Sequence, residues 1–171
     1  MNKYQQFVSE YGKFALNASK RFGILPEIIL AVAAHETGFG SSYSAQFDKN
    51  FFGISSSSFF DPQYWDGFSK RRTNDTAGYY RVYSSVQNSF YDFAWLLSNA
   101  TRYAAVKRSF GNLEGFVAAF INSGYFTGNK TVYANALLNY APELKKYIKQ
   151  PFPAWLYMAG FGLLVVIKRS K

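Results

Sequence analysis

Apolar positions recur at helical spacing along most of this chain, interrupted once by a long stretch with no regular period. Phe7, Tyr11, Phe14, Ala15, Ala18 and Phe22 predict a first helix over 3–22, stopped by Gly23. A second helix is expected from Pro26 to about Thr37, with proline in its first turn and Gly38 and Gly40 just past its end. Within it Ile29, Val32, Ala33 and Glu36 stand at i, i+3, i+4 and i+7, so a carboxylate shares the aliphatic face. From 41 to 83 the period disappears. Four consecutive serines (55–58), with Gly53, Pro62, Gly67 and Gly78, predict loops and a small hairpin pairing strands near Tyr64–Ser69 and Tyr79–Tyr83. Helical spacing returns at Val86, Phe90, Phe93, Ala94 and Leu97 behind a Ser84 or Ser85 cap. A short helix at about 101–109 should follow. Leu113, Phe116, Val117, Phe120 and Ile121 then form a helix capped by Asn112 and closed by Gly124. Residues 131–148 complete the set, as one helix or a pair, with Pro142 forcing a kink or a restart.

This order predicts an α+β fold, mainly helical with a small β-lobe, over residues 1–150, with a cleft between the lobes. Residues 151–171 differ in texture. Phe152 to Ile167 is a 16-residue run without charge, ending in Lys168-Arg169-Ser170-Lys171. As a helix it would span roughly 24 Å, against roughly 30 Å for a bilayer core. Trp155 and Tyr157 at one end and the basic cluster at the other suit membrane interfaces. A C-terminal apolar helix that spans or embeds in a membrane is therefore expected, with docking on the domain or on a partner as the alternative.

Composition adds two constraints. Aromatic residues make up 20 % of the chain, a content suited to ring-stacking grooves for sugars or single-stranded nucleic acid. The rings fall at core spacing more often than they interleave with basic residues, which argues against nucleic acid. Net charge is +9, three of it in Lys168, Arg169 and Lys171, so the main domain is itself basic and suits an anionic partner such as a cell-wall polymer. There is no cysteine, hence no disulfide framework, thiol nucleophile or cysteine zinc site. No His/Asp/Glu cluster has metal-ligand spacing, and no cofactor motif is present. The N-terminus lacks the apolar core of an export signal.

The motifs resemble those of the glucosaminidase group of peptidoglycan hydrolases, glycoside hydrolase family 73. Ala34-His35-Glu36-Thr37-Gly38-Phe39-Gly40-Ser41-Ser42 is similar to the family's A-x-E-[ST]-G-[WF]-G-x-S, and Asn50-Phe51-Phe52-Gly53-Ile54 to N-x-F-G-I, with Lys49 replacing a preceding asparagine. Tyr80-Arg81-Val82-Tyr83-Ser84-Ser85 resembles F-R-x-Y-x-S, and Ser89 to Leu97 resembles S-x-x-D-[YF]-x-x-x-L. Gly124-Tyr125-Phe126-Thr127 with Tyr133-Ala134 resembles G-Y-A-T-D-P-x-Y-A, without its Asp-Pro. The resemblance implies a lysozyme-like fold and cleavage of the peptidoglycan glycan strand next to N-acetylglucosamine.

A carboxyl at the end of a buried helix is partly desolvated, which favours a donatable proton. Glu36 is thus the expected general acid, an ordinary buried ion pair being the alternative. The family's second carboxylate aligns with Asp75 in Thr73-Asn74-Asp75; Asp66 is a rival that also reads as a turn residue. Three routes stay open: Asp75 activating water, attack by the substrate's acetamido group, or attack by the 6-hydroxyl of muramic acid in a lytic transglycosylase. By resemblance Tyr125 would position substrate near Glu36, and Phe39, Asn50, Phe52 and Tyr80 would shape the cleft. His35, the one histidine, is expected to be structural. The non-enzymatic alternative is a wall-binding module. A tethered wall hydrolase without an export signal is expected to be membrane-associated, the internal membrane of a lipid-containing virus being one such setting.

Overall fold

A computed structural model describes residues 1–71 and 78–149. Asp75 and the 152–167 segment lie outside the described residues. Among those described, no helix is long and apolar enough to cross a membrane.

Helix α1 (Lys3–Phe22) is capped by the Asn2 side chain and ended by Gly23 at φ 81°. Helix α2 (Pro26–Thr37) follows at once. The expected apolar stripe understates its burial, because Pro26 through Ala34 are buried on every side. The reason is position: α2 runs between α1 and α7 (Lys130–Lys145), so all of its faces meet protein. Its first turn is tied to the end of α7 by an ion pair of 2.8 Å between Glu27 and Lys145. A short helix α3 (Tyr43–Gln46), not expected from the sequence, caps itself through Ser42.

The small lobe holds two antiparallel strands, β1 (Ser69–Arg71) and β2 (Tyr79–Arg81), in register Ser69 with Arg81 and Arg71 with Tyr79. The first strand starts where the expected one ended. Tyr64 and Trp65 instead lie in a turn, buried at 3 % and 5 % exposure, where their rings serve the core rather than a ladder. Helix α4 (Val86–Asn99) is capped by Ser85, and a 3-10 turn (Thr101–Tyr103) leads into α5 (Ala104–Lys107). Helix α6 (Leu113–Phe120) is capped by Asn112 and stops before Gly124, which turns the chain at φ 73° three residues beyond Ile121. In α7 Pro142 does not restart the chain: the helix runs through it, with buried Leu137, Ala141 and Leu144 holding one face down. Packing here outweighs the lost hydrogen bond.

The two lobes are joined by a buried charge. Arg81 of β2 and Asp92 of α4 are both fully buried and pair at 2.5 Å. The Tyr83 hydroxyl donates to the same Asp92 oxygen at 2.6 Å. The guanidinium also donates to the carbonyls of Ser55, Ser58 and Phe59 and lies 4.5 Å from the Trp65 ring. An irregular loop is thus held by one strand side chain whose charge is anchored on a helix.

Candidate active site

Glu36 stands on the last turn of α2 and is half-buried. The chain leaves that helix through three consecutive left-handed residues, Gly38, Phe39 and Gly40, at φ 55°, 60° and 82°. The middle one is costly for a side chain, on the order of 1–3 kcal/mol. Neighbouring contacts hold it: the Phe39 ring meets Tyr4 at 5.4 Å, Phe7 at 5.6 Å and Tyr140 at 5.1 Å, and the Lys3 ammonium lies 4.6 Å away. Phe39, expected on the cleft floor, is therefore the wedge that fixes the exit of α2.

The Tyr133 hydroxyl, from α7, donates to Glu36 Oε1 at 2.5 Å. Burial pushes the Tyr133 phenol well above its ordinary range, and the Glu36 charge and hydrogen bond raise it further, so it remains a donor. Its ring is fixed on both sides, stacked on Phe126 at 4.0 Å and meeting the His35 edge at 4.3 Å. The other carboxyl oxygen, Oε2, faces Gly53: a Cβ built there would lie 3.7 Å from it. Gly53 sits at φ 62°, a conformation that glycine adopts without steric cost.

Asn50 sets that turn. Its amide donates to the carbonyls of Ile54 and Arg81, each at 3.0 Å, and its oxygen accepts from Ile54 N–H at 3.1 Å. Buried to 1 % and fully engaged, it holds Gly53 against Glu36 and offers no contact to a substrate. Phe52 is core as well, stacked on Phe93 at 4.1 Å; its carbonyl is what serves the site, accepting from the Tyr125 hydroxyl at 2.6 Å. Tyr125 packs among Phe93, Tyr103 and Phe120. Burial, and then the Glu36 charge, raise its phenol well above the ordinary range. Tyr80 lies half-buried on β2, opposite Lys70. Asp66 is an exposed turn residue that accepts from Phe68 N–H at 3.1 Å. Of the site residues expected from sequence, the structure brings Glu36, Tyr125 and the Phe52 backbone together, buries Asn50 and leaves Phe39 half-buried among rings. Tyr133 was missed as a site residue. Its signal was the Tyr133-Ala134 pair closing the last motif. Among the described residues no group of three acidic or histidine side chains stands ready for a metal.

Burial holds the half-buried His35 below the ordinary histidine range. The unfolded chain therefore takes this proton first as pH falls through about 6.5, and the fold loses stability below that value. In thermal melts from pH 8 to pH 5, wild type should lose more stability than His35→Phe, which keeps a ring against Tyr133. Parallel curves would contradict this.

Residues 12–150 match the glucosaminidase family, described as mannosyl-glycoprotein endo-beta-N-acetylglucosaminidase. The peptidoglycan hydrolase FlgJ of Pseudomonas aeruginosa is 31 % identical over 155 residues, covering 83 % of this chain and 37 % of that protein. FlgJ of Vibrio parahaemolyticus is 27 % identical, over 82 % of this chain and 47 % of its own length. The chain thus spans less than half the length of these curated relatives. The solved glycoside hydrolase domain of Salmonella typhimurium FlgJ superposes with a TM-score of 0.63 at 26 % identity, over 94 % of this chain and 98 % of that one. With a family match over most of its length, and with the motif residues of that family gathered around the end of α2, the chain belongs to the glucosaminidase family, glycoside hydrolase family 73.

Proposed function

We propose that this chain hydrolyses the glycan strand of peptidoglycan at the β-1,4 bond next to N-acetylglucosamine, with Glu36 as general acid. The observation that carries the reading is the Tyr133–Glu36 hydrogen bond at the open end of a buried helix, in a chain of this family. Cleavage needs a proton on the leaving oxygen and support for an oxocarbenium-like centre. Glu36 donates from Oε2, the oxygen on the Gly53 side. Tyr133 stabilises the carboxylate that remains, which makes the acid a better donor at the moment of transfer. Tyr125 acts through the backbone: its hydroxyl fixes the Phe52 carbonyl and, with it, the turn opposite Glu36. Asp75, between β1 and β2 in sequence, is the second carboxylate of the reading and would activate the attacking water.

Tyr133→Phe keeps the ring stack and removes only the hydroxyl. A hydrogen bond to a charged group is worth about 1.5–3 kcal/mol, so kcat should fall roughly 10–100-fold and the melting temperature by roughly 3–12 °C. Steady-state kinetics on soluble glycan fragments check this; an unchanged kcat would remove Tyr133 from the site. The reading as a whole is tested by mass spectrometry of purified peptidoglycan digested with the chain and then reduced. New ends in reduced N-acetylglucosamine are expected. Ends in 1,6-anhydromuramic acid would make it a lytic transglycosylase, and no release would leave a wall-binding module.

A further inference from the structure

A concavity of about 450 Å³ opens between the end of α1, the turn at 61–64, the end of α4 and α5. Its place follows from α4. Phe93 stacks on Phe52 toward Glu36, whereas Trp95, two residues on, is turned about 200° around the same helix. The concavity therefore faces away from Glu36.

Its lining carries two cations, Arg21 and Lys107, and one carboxylate, Asp61. Arg21 lies on three rings, with its guanidinium 5.2 Å from Tyr64, 5.5 Å from Tyr91 and 5.8 Å from Phe22. One N–H donates to the Gln63 side chain at 3.2 Å. Among the described residues no carboxylate pairs with it, and none pairs with Lys107 at the same concavity. A guanidinium oriented by aromatic faces, with one N–H held by Gln63, keeps further N–H groups to bind a carboxylate. Trp95 lines the same space, half-buried, with its ring stacked on exposed Phe59 at 4.9 Å. The Asn99 side chain, whose amide donates to the Trp95 carbonyl at 2.9 Å, and the Asp61 carboxylate, which accepts from Gln63 N–H at 2.9 Å, complete the polar wall; each keeps hydrogen-bonding capacity for the N–H and C=O groups of a peptide.

We propose that this concavity binds the carboxylate-bearing stem peptide of peptidoglycan, Arg21 and Lys107 taking the carboxylate and the Trp95 edge the peptide. The inference rests on the peptidoglycan reading above and deepens it: the domain would hold one part of the wall mesh while cutting another. A neutral glycan supplies no partner for the two cations, and a second anionic polymer would have no use for Asp61.

The test uses the full chain carrying Glu36→Gln, so that nothing is cut, titrated with a soluble muramyl tripeptide bearing free carboxylates and followed by calorimetry. Binding is expected to weaken roughly tenfold or more in Lys107→Glu and in Arg21→Gln. Lys107 is exposed, so Lys107→Glu reads the site even if Arg21→Gln fails to fold. With Glu36 restored, both variants should cleave a peptide-free glycan fragment at the wild-type rate. Equal binding by Lys107→Glu, equal binding of a tripeptide whose carboxylates are amidated, or equal binding of chitotetraose would overturn the proposal. Failure of the hydrolase reading shows separately, as undiminished cutting by Glu36→Gln.

Discussion

Asp92→Ala is expected to cost about 3–5 kcal/mol, the loss typical of a buried ion pair stripped of one partner. For a chain of this size that lowers the melting temperature by roughly 6–20 °C. The size follows from what is left behind. Arg81 is fully buried, so its charge would face no carboxylate, and the Tyr83 hydroxyl would lose its acceptor as well. The loop carbonyls of Ser55, Ser58 and Phe59 depend on the same guanidinium, so the small lobe should loosen first. Replacing both partners, Arg81→Met with Asp92→Leu, should recover much of the loss, because no unpaired charge remains. Thermal melts of the three proteins decide it. An Asp92→Ala protein melting with wild type would mean that the pair does not hold the lobes together.

Much of the helical frame was legible from sequence for physical reasons. Periodicity and caps place α1, α2, α4 and α6 because Gly23, Pro26, Ser85 and Asn112 each do the local work that a helix end requires. The same logic misjudged α7, where Pro142 is a local signal overridden by the packing of Ala141 and Leu144. It also misplaced the first strand, since buried Tyr64 and Trp65 look like strand residues but fill a turn around Arg81. At the site the motif pattern marked Glu36, yet it could not separate residues that meet substrate from those that shape the backbone. Asn50, Phe52, Arg81, Tyr83, Ser89 and Asp92 all belong to quoted motifs, and all are buried. Ser89 accepts from Phe51 N–H at 3.1 Å, for instance, and so fixes the same turn as Asn50. Tyr133 was hidden for the opposite reason: its partner lies 97 residues away, and only the packing of α7 on α2 joins them.

Glu36→Gln carries the other large effect. Glutamine keeps the shape and can still accept from Tyr133, so the fold should melt within about 1 kcal/mol of wild type, as near-isosteric changes do. It has no proton to give the leaving oxygen. Removing a general acid costs about 10²–10⁴ in rate, and the departing sugar here has no other donor in the proposed scheme. The most direct measurement is therefore the initial rate of reducing-end release from purified peptidoglycan by wild type and Glu36→Gln, on preparations with matching melting curves. The account predicts a loss of at least about 10²-fold in the variant; release at a rate near wild type, from an equally folded protein, would contradict it.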